Sequence, residues 1–121
     1  MRALDVLAAD PRVDPARLGI TGVSGGGACS FHTAVADARV RAVSTLCGIS
    51  SPLDAVANGH LTGHCDCMYP LNLHRRDIGE YAALIAPRAA LFCFAKDDTL
   101  YHFEESCALV ERARKVFRLC G

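Results

Sequence analysis

Apolar positions along the chain change period several times, and each change marks an element. In residues 2–9, RALDVLAA, Leu4, Leu7 and Ala8 recur at helical spacing. Asp10-Pro11 ends that segment, because a residue before proline is pushed out of the helical region. A turn-rich connector, DPRVDPAR, follows. Arg17 to Val23, RLGITGV, is short, apolar and bounded by turn residues, which is the pattern of a buried strand. From Gly25 to about Ala36 the helical period returns, with Ala28, Phe31, His32 and Val35 on one face. Ala42 to Cys47, AVSTLC, closed by Gly48, predicts a second buried strand.

Residues 49–80 break this rhythm. They hold Pro52, Pro70, Gly59, Gly63 and Gly79, and they predict an irregular excursion with a short helix near 53–58. Residues 80–86, EYAALIA, are helical in pattern and stop before Pro87. Ala89 to Ala95, AALFCFA, predicts a third buried strand. A last helix, about 102–118, places Phe103, Cys107, Val110 and Phe117 on one stripe. Glu104 and Glu105 in its first turn, and Arg114, Lys115 and Arg118 in its last, complement the helix dipole.

Apolar strands alternating with helices predict the α/β class: a partial doubly wound parallel sheet covered on both faces. Three strands are few for such a sheet, so residues 1–121 read as a single incomplete domain interrupted by the excursion. No internal repeat or low-complexity segment is present.

Composition narrows the function classes. The 121 residues are 51% hydrophobic, enough for a core. Thirteen basic and thirteen acidic residues cancel, and no block of like charge offers a footprint for nucleic acid or an anionic membrane. No apolar run approaches the length of a membrane span, and the acid-containing N-terminus does not read as a signal peptide. The seven cysteines cannot all pair, and Cys47 and Cys93 lie in apolar runs where a thiol acts as a small hydrophobe. Most read as free thiols in a reducing setting, which points towards the cytoplasm.

The chemistry centres on TGVSGGGACS, Thr21 to Ser30. Ser24 lies between a predicted strand and a predicted helix, with Gly22 two residues before it and Gly26 two after. That is the context of a nucleophile elbow, G-x-S-x-G, in which side chains on either side would collide. Ser24 Oγ is then offered at the carboxyl end of the strand, with the Gly25 N–H as one oxyanion donor. The alternatives are a phosphate-binding glycine turn or a plain tight turn. Neither G-K-[ST] nor G-x-G-x-x-G is present to support the first. An elbow serine needs a base and an orienting acid in the order Ser, Asp/Glu, His. The third strand runs into Lys96-Asp97-Asp98. Asp97 is favoured as the first residue free to turn towards the serine, and Asp98 is the runner-up; the other aspartate takes a turn or capping role. His102 is too near Asp97 in sequence to bridge it to Ser24, and His32 reads as a satisfied buried histidine on the helix after Ser24. His60, His64, Cys65, Cys67 and His74 invite a zinc reading, yet Cys65-x-Cys67 is too tight and His60-x₃-His64 fits only half a site. No metal is expected.

With the elbow and acid in place, the chain resembles the α/β-hydrolase superfamily, and within it the acetyl xylan esterase-like and dienelactone hydrolase-like branch. The resemblance rests on DPRVDPARLGITGVSGGG (10–27), HCDCMYPLN (64–72), AALIAPRAALFCFAKDD (82–98) and a final helix ending ARKVFRL. It implies a serine carboxylic-ester hydrolase with Ser24 as nucleophile, Asp97 as triad acid and no cofactor. The substrate would be a small-molecule ester, an acylated carbohydrate among the candidates. The family's catalytic histidine follows a further strand, which would fall beyond Gly121, and its early strands would precede Met1. The expectation is therefore a central to C-terminal piece of a larger hydrolase, inactive alone and prone to self-association through open sheet edges. The same elbow and acid also suit a prolyl-oligopeptidase-like peptidase, and the missing histidine suits a non-catalytic, degenerate hydrolase fold.

Overall fold

The computed structural model describes residues 1–59, 62–63 and 75–121. Along the chain these form α1 (Arg2–Ala9), a 3-10 turn at Pro15–Arg17, β1 (Leu18–Val23), α2 (Gly25–Ala36), β2 (Val40–Leu46), α3 (Pro52–Ala57), α4 (Ile78–Ala83), β3 (Ala89–Cys93) and α5 (Phe103–Cys120). The strands make one parallel sheet in the order β1-β2-β3. This is the α/β architecture expected from the alternation of strand and helix. Among the described residues, no helix is long and apolar enough to cross a membrane.

The pleat divides the sheet's side chains into two sets. Ile20, Val43 and Ala90 align across the strands, as do Gly22, Thr45 and Phe92. This is the face covered by helices. Phe31 of α2, fully buried, meets the Phe92 ring edge-on at a centroid distance of 6.3 Å. Burying a side chain of that size contributes about 1.5–3 kcal/mol. Ile49, Ile78, Ile85 and Leu109 complete the same core. The opposite rows are Gly19, Ala42 and Ala89; Thr21, Ser44 and Leu91; and Val23, Leu46 and Cys93. Val23 is 63% exposed and Leu91 58%, so the expected cover on both faces is met on one. The strands read as buried throughout because their open face carries apolar or small, uncharged side chains.

Several boundaries move from their expected places. β2 begins at Val40, not Ala42; Val40 is 1% exposed, but the exposed Arg41 interrupts the apolar run in sequence. β3 ends at Cys93, two residues short of Ala95. α4 begins at Ile78 because Asp77 and Glu80 form a capping box. The buried stripe of α5 is Ser106, Leu109 and Ala113, while Val110 and Phe117 pack at its margin and Phe103 and Cys107 stay half-buried. On α2 the stripe is likewise displaced: Gly27, Ala28, Ser30, Phe31 and Ala34 are buried, and His32 and Val35 only half-buried.

Two polar junctions fix the helices to the sheet. The Arg88 guanidinium donates to the carbonyls of Val40 (2.8 Å), Asp37 (3.1 Å), Ile85 (3.1 Å) and Leu84 (3.3 Å), tying the entry of β2 to the exit of α4. Asp77 accepts from Arg112 of α5 (2.7 Å) and from the Ser51 hydroxyl (3.1 Å), while Ser51 itself caps α3. The two ends of the excursion therefore meet at Ser51 and Asp77. His60, His64, Cys65, Cys67 and His74, with the segment HCDCMYPLN, lie outside the described residues.

Candidate active site

β1 leaves the sheet through Ser24, whose amide donates to the Leu46 carbonyl at 2.9 Å. The next residue is already helical. To make that change of direction within one residue, Ser24 takes φ 53° and ψ −122°. A non-glycine residue there carries on the order of 1–3 kcal/mol of strain and persists only where its surroundings enforce it. Two enforcing bonds are the Ser24 amide to Leu46 and the Ala28 amide to the Ser24 carbonyl, also 2.9 Å. Ser24 occupies the N-cap position of α2, yet its hydroxyl caps nothing, and the residue is exposed. Serine at an N-cap ordinarily spends its hydroxyl on a helix amide. Here it is left at the surface beside the amides of Gly25, Gly26 and Gly27, at the positive end of the helix dipole.

Glycine is needed for close approach at two places around this turn. A Cβ on Gly22 would stand 2.3 Å from the carbonyl carbon and oxygen of Gly26. A Cβ on Gly48, after β2, would stand 2.5 Å from the Gly27 carbonyl carbon. The expected collision at Gly26 is absent, since a Cβ there meets nothing within 4 Å. Gly26 contributes the backbone that Gly22 must clear. Gly48 has no place in the five-residue elbow motif; the signal that marks it in sequence is a glycine directly after a buried strand.

The two aspartates after β3 have different surroundings. Asp97 is exposed. Asp98 is half-buried, and its Oδ1 accepts the amides of Leu100 (2.8 Å) and Tyr101 (3.0 Å). Tyr101, 3% exposed, packs on Ala28 in the first turn of α2, with Leu100 and Cys47 around it. The loop carrying Asp98 is therefore docked against the elbow helix. β2 lies between the strand that leads to Ser24 and the strand that leads to Asp98.

Two of the chain's histidines, His32 and His102, are among the described residues. His32 lies eight residues along α2 from Ser24, about 12 Å of helix rise, edge-on to Phe31. His102 is the N-cap residue of α5. Among the described residues, no group of three or more His, Cys, Asp and Glu side chains is placed to hold a metal ion. Cys29, Cys47, Cys93, Cys107 and Cys120 are all free thiols.

No family model and no curated protein sequence matches the chain. Solved structures do. A glucuronoyl esterase from Solibacter usitatus superposes with a TM-score of 0.76 over 98% of this chain, at 22% identity. Its neighbours in structure include the acylaminoacyl peptidase of Pyrococcus horikoshii, with a TM-score of 0.66 over 93% of this chain at 18% identity. Both are α/β-hydrolases. The fold is therefore part of an α/β-hydrolase fold. The chain spans about a third of the length of the esterase (34%) and a fifth of the peptidase (19%).

Proposed function

We propose that this chain carries the nucleophile and acid of a serine hydrolase acting on carboxylic esters, related in chemistry to the acetyl xylan esterase-like enzymes. The observation that carries the proposal is the backbone of Ser24: a strained serine between β1 and α2, with its hydroxyl unspent on capping. Strain of this kind is retained where the presented group has work to do. Ser24 Oγ attacks the ester carbonyl as a histidine contributed from outside these residues takes its proton. The carbonyl electron pair moves onto oxygen and is held by the Gly25 amide. Collapse of the tetrahedral intermediate expels the alcohol, protonated by the same imidazole. Water then attacks the acyl-serine by the reverse sequence, releasing the acid.

The orienting acid we assign to Asp98 in preference to Asp97. A triad carboxylate keeps one oxygen for the imidazole and must be held rigid by the other. Asp98 has that anchorage in two amides, on a loop packed against the elbow helix; Asp97 is exposed on the outer side of the same turn. Ester rather than peptide cleavage is supported by the fuller and closer superposition on the esterase than on the peptidase.

The test is active-site labelling. A fluorophosphonate is expected to modify Ser24 of the intact protein, located by peptide mass spectrometry, and p-nitrophenyl acetate to be turned over faster than prolyl or acylaminoacyl anilides. Labelling at Ser30, or at no serine, refutes the elbow. Preferential cleavage of the anilides moves the assignment to a peptidase, and a labelling-competent Ser24 is what a degenerate fold would lack.

A further inference from the structure

Ser30 is the one hydroxyl among the buried residues of α2, which are otherwise Gly27, Ala28, Phe31 and Ala34. It is 2% exposed. Serine has a lower helix propensity than alanine, and a buried hydroxyl without a partner is destabilising. Alanine would fill the position at less cost, so the hydroxyl's partner is the informative fact. Ser30 Oγ donates to the Gly26 carbonyl at 2.8 Å.

A Cβ on Gly22 would stand 2.3 Å from that carbonyl's carbon and oxygen, so the turn after Ser24 lies close to β1 here. Gly25, Gly26 and Gly27 are consecutive, and glycine has the greatest backbone freedom to lose on folding. The plane of the Ser24–Gly25 peptide, which carries the Gly25 amide, is fixed by the Ala28 amide bound to the Ser24 carbonyl. At the Gly26–Gly27 peptide the Ser30 hydroxyl adds a side-chain bond to the carbonyl that the helical backbone ladder also uses. The two bonds bracket the glycine turn from either end.

We infer that Ser30 is a positioning residue for the oxyanion site: through Gly26 it holds the glycine turn so that the Gly25 amide is set before the transition state forms. Ser30 touches no reacting atom. The inference rests on the reading of Ser24 as nucleophile and extends it to a residue outside the elbow motif. Preorganised donors stabilise a developing oxyanion because they need not reorient as charge appears. Loosening the turn weakens that stabilisation without removing the donor.

The experiment compares Ser30→Ala, Ser30→Thr and Ser30→Cys in the intact protein. It reads the rate of fluorophosphonate labelling at Ser24, kcat and KM for p-nitrophenyl acetate, and the melting temperature. Ser30→Ala is expected to lower kcat and the labelling rate by roughly tenfold, short of the 10²–10³ lost with a whole donor. KM should change little, and Ser30→Thr, which restores the hydroxyl, should recover most of the loss. Should Ser30→Ala fail to fold, Ser30→Cys, with a similar volume and a weak donor, is expected to give the same kcat loss. Labelling of Ser30→Ala at the wild-type rate overturns the inference while leaving Ser24 as nucleophile. A loss that follows melting temperature and that threonine does not rescue assigns Ser30 a merely structural role and overturns it as well. If wild-type Ser24 does not label, the elbow reading fails and this inference falls with it.

Discussion

Replacing Gly48 by alanine tests the close approach on which the elbow depends. The added Cβ would lie 2.5 Å from the Gly27 carbonyl carbon and 2.6 Å from both the Ala28 nitrogen and the Gly27 Cα. Carbon atoms in contact prefer about 3.5–4.0 Å, so α2 and the end of β2 must part by about 1 Å. All three atoms are backbone, and no rotamer change can relieve the overlap. Ordinary overpacking costs about 1–3 kcal/mol, and a backbone clash of this depth belongs at or beyond the upper end. The reduced entropy of the unfolded chain returns only about 0.4–1 kcal/mol. Gly48→Ala should thus lose about 2–3 kcal/mol net, a fall in melting temperature of roughly 5–12 °C. Gly26→Ala is the control. Its Cβ meets nothing within 4 Å, and it should be neutral or gain up to about 1 kcal/mol. Urea titration followed by circular dichroism measures both. Equal midpoints for the two variants would refute the packing argument.

Three further outcomes follow from the polar contacts. Asp98→Asn should lower kcat on an ester by orders of magnitude, about 10⁴ in the best-studied triad, while Asp97→Asn does much less; the reverse order returns the acid to Asp97. Arg88→Lys keeps the charge but loses the planar fork that reaches four carbonyls, and should cost about 2 kcal/mol in a urea titration; an unchanged midpoint refutes the junction. Arg39 holds the Asp37 carboxyl at about 2, below its ordinary value of 3.8. The native state therefore releases this proton more readily than the unfolded chain, and the resulting stability is present above pH 4 and lost as pH falls towards 2. The stability gap between the wild type and Asp37→Asn should close over that interval; a gap constant with pH would show that the pair is not formed.

Element order was legible in the sequence because it depends on local chemistry. Asp10-Pro11 ends α1, and the apolar runs at 17–23, 42–47 and 89–95, each bounded by turn residues, mark the three strands to within two residues. A tight turn at Ser24 was legible for the same reason: its glycines sit between a strand pattern and a helix pattern, and Ser24 there takes φ 53°. The helix stripes were not. Sequence hydrophobicity gives weight to Phe103, Cys107 and Val110, but the line of closest contact falls on Ser106, Leu109 and Ala113, where a Cβ on Gly79 would come within 3.0 Å of the Leu109 carbonyl. On α2, Ala28 and Phe31 are buried as their spacing predicts, but Gly27, Ser30 and Ala34 join them in place of His32 and Val35, since small side chains let backbones approach. Asp97 and Asp98 are equivalent in composition and adjacent in sequence. Only the docking of Tyr101 on Ala28, which folds the loop back so that two amides reach Asp98, distinguishes them. Local pattern determines which elements form; the distance between elements, set by side chains far apart in sequence, decides which atoms of those elements meet.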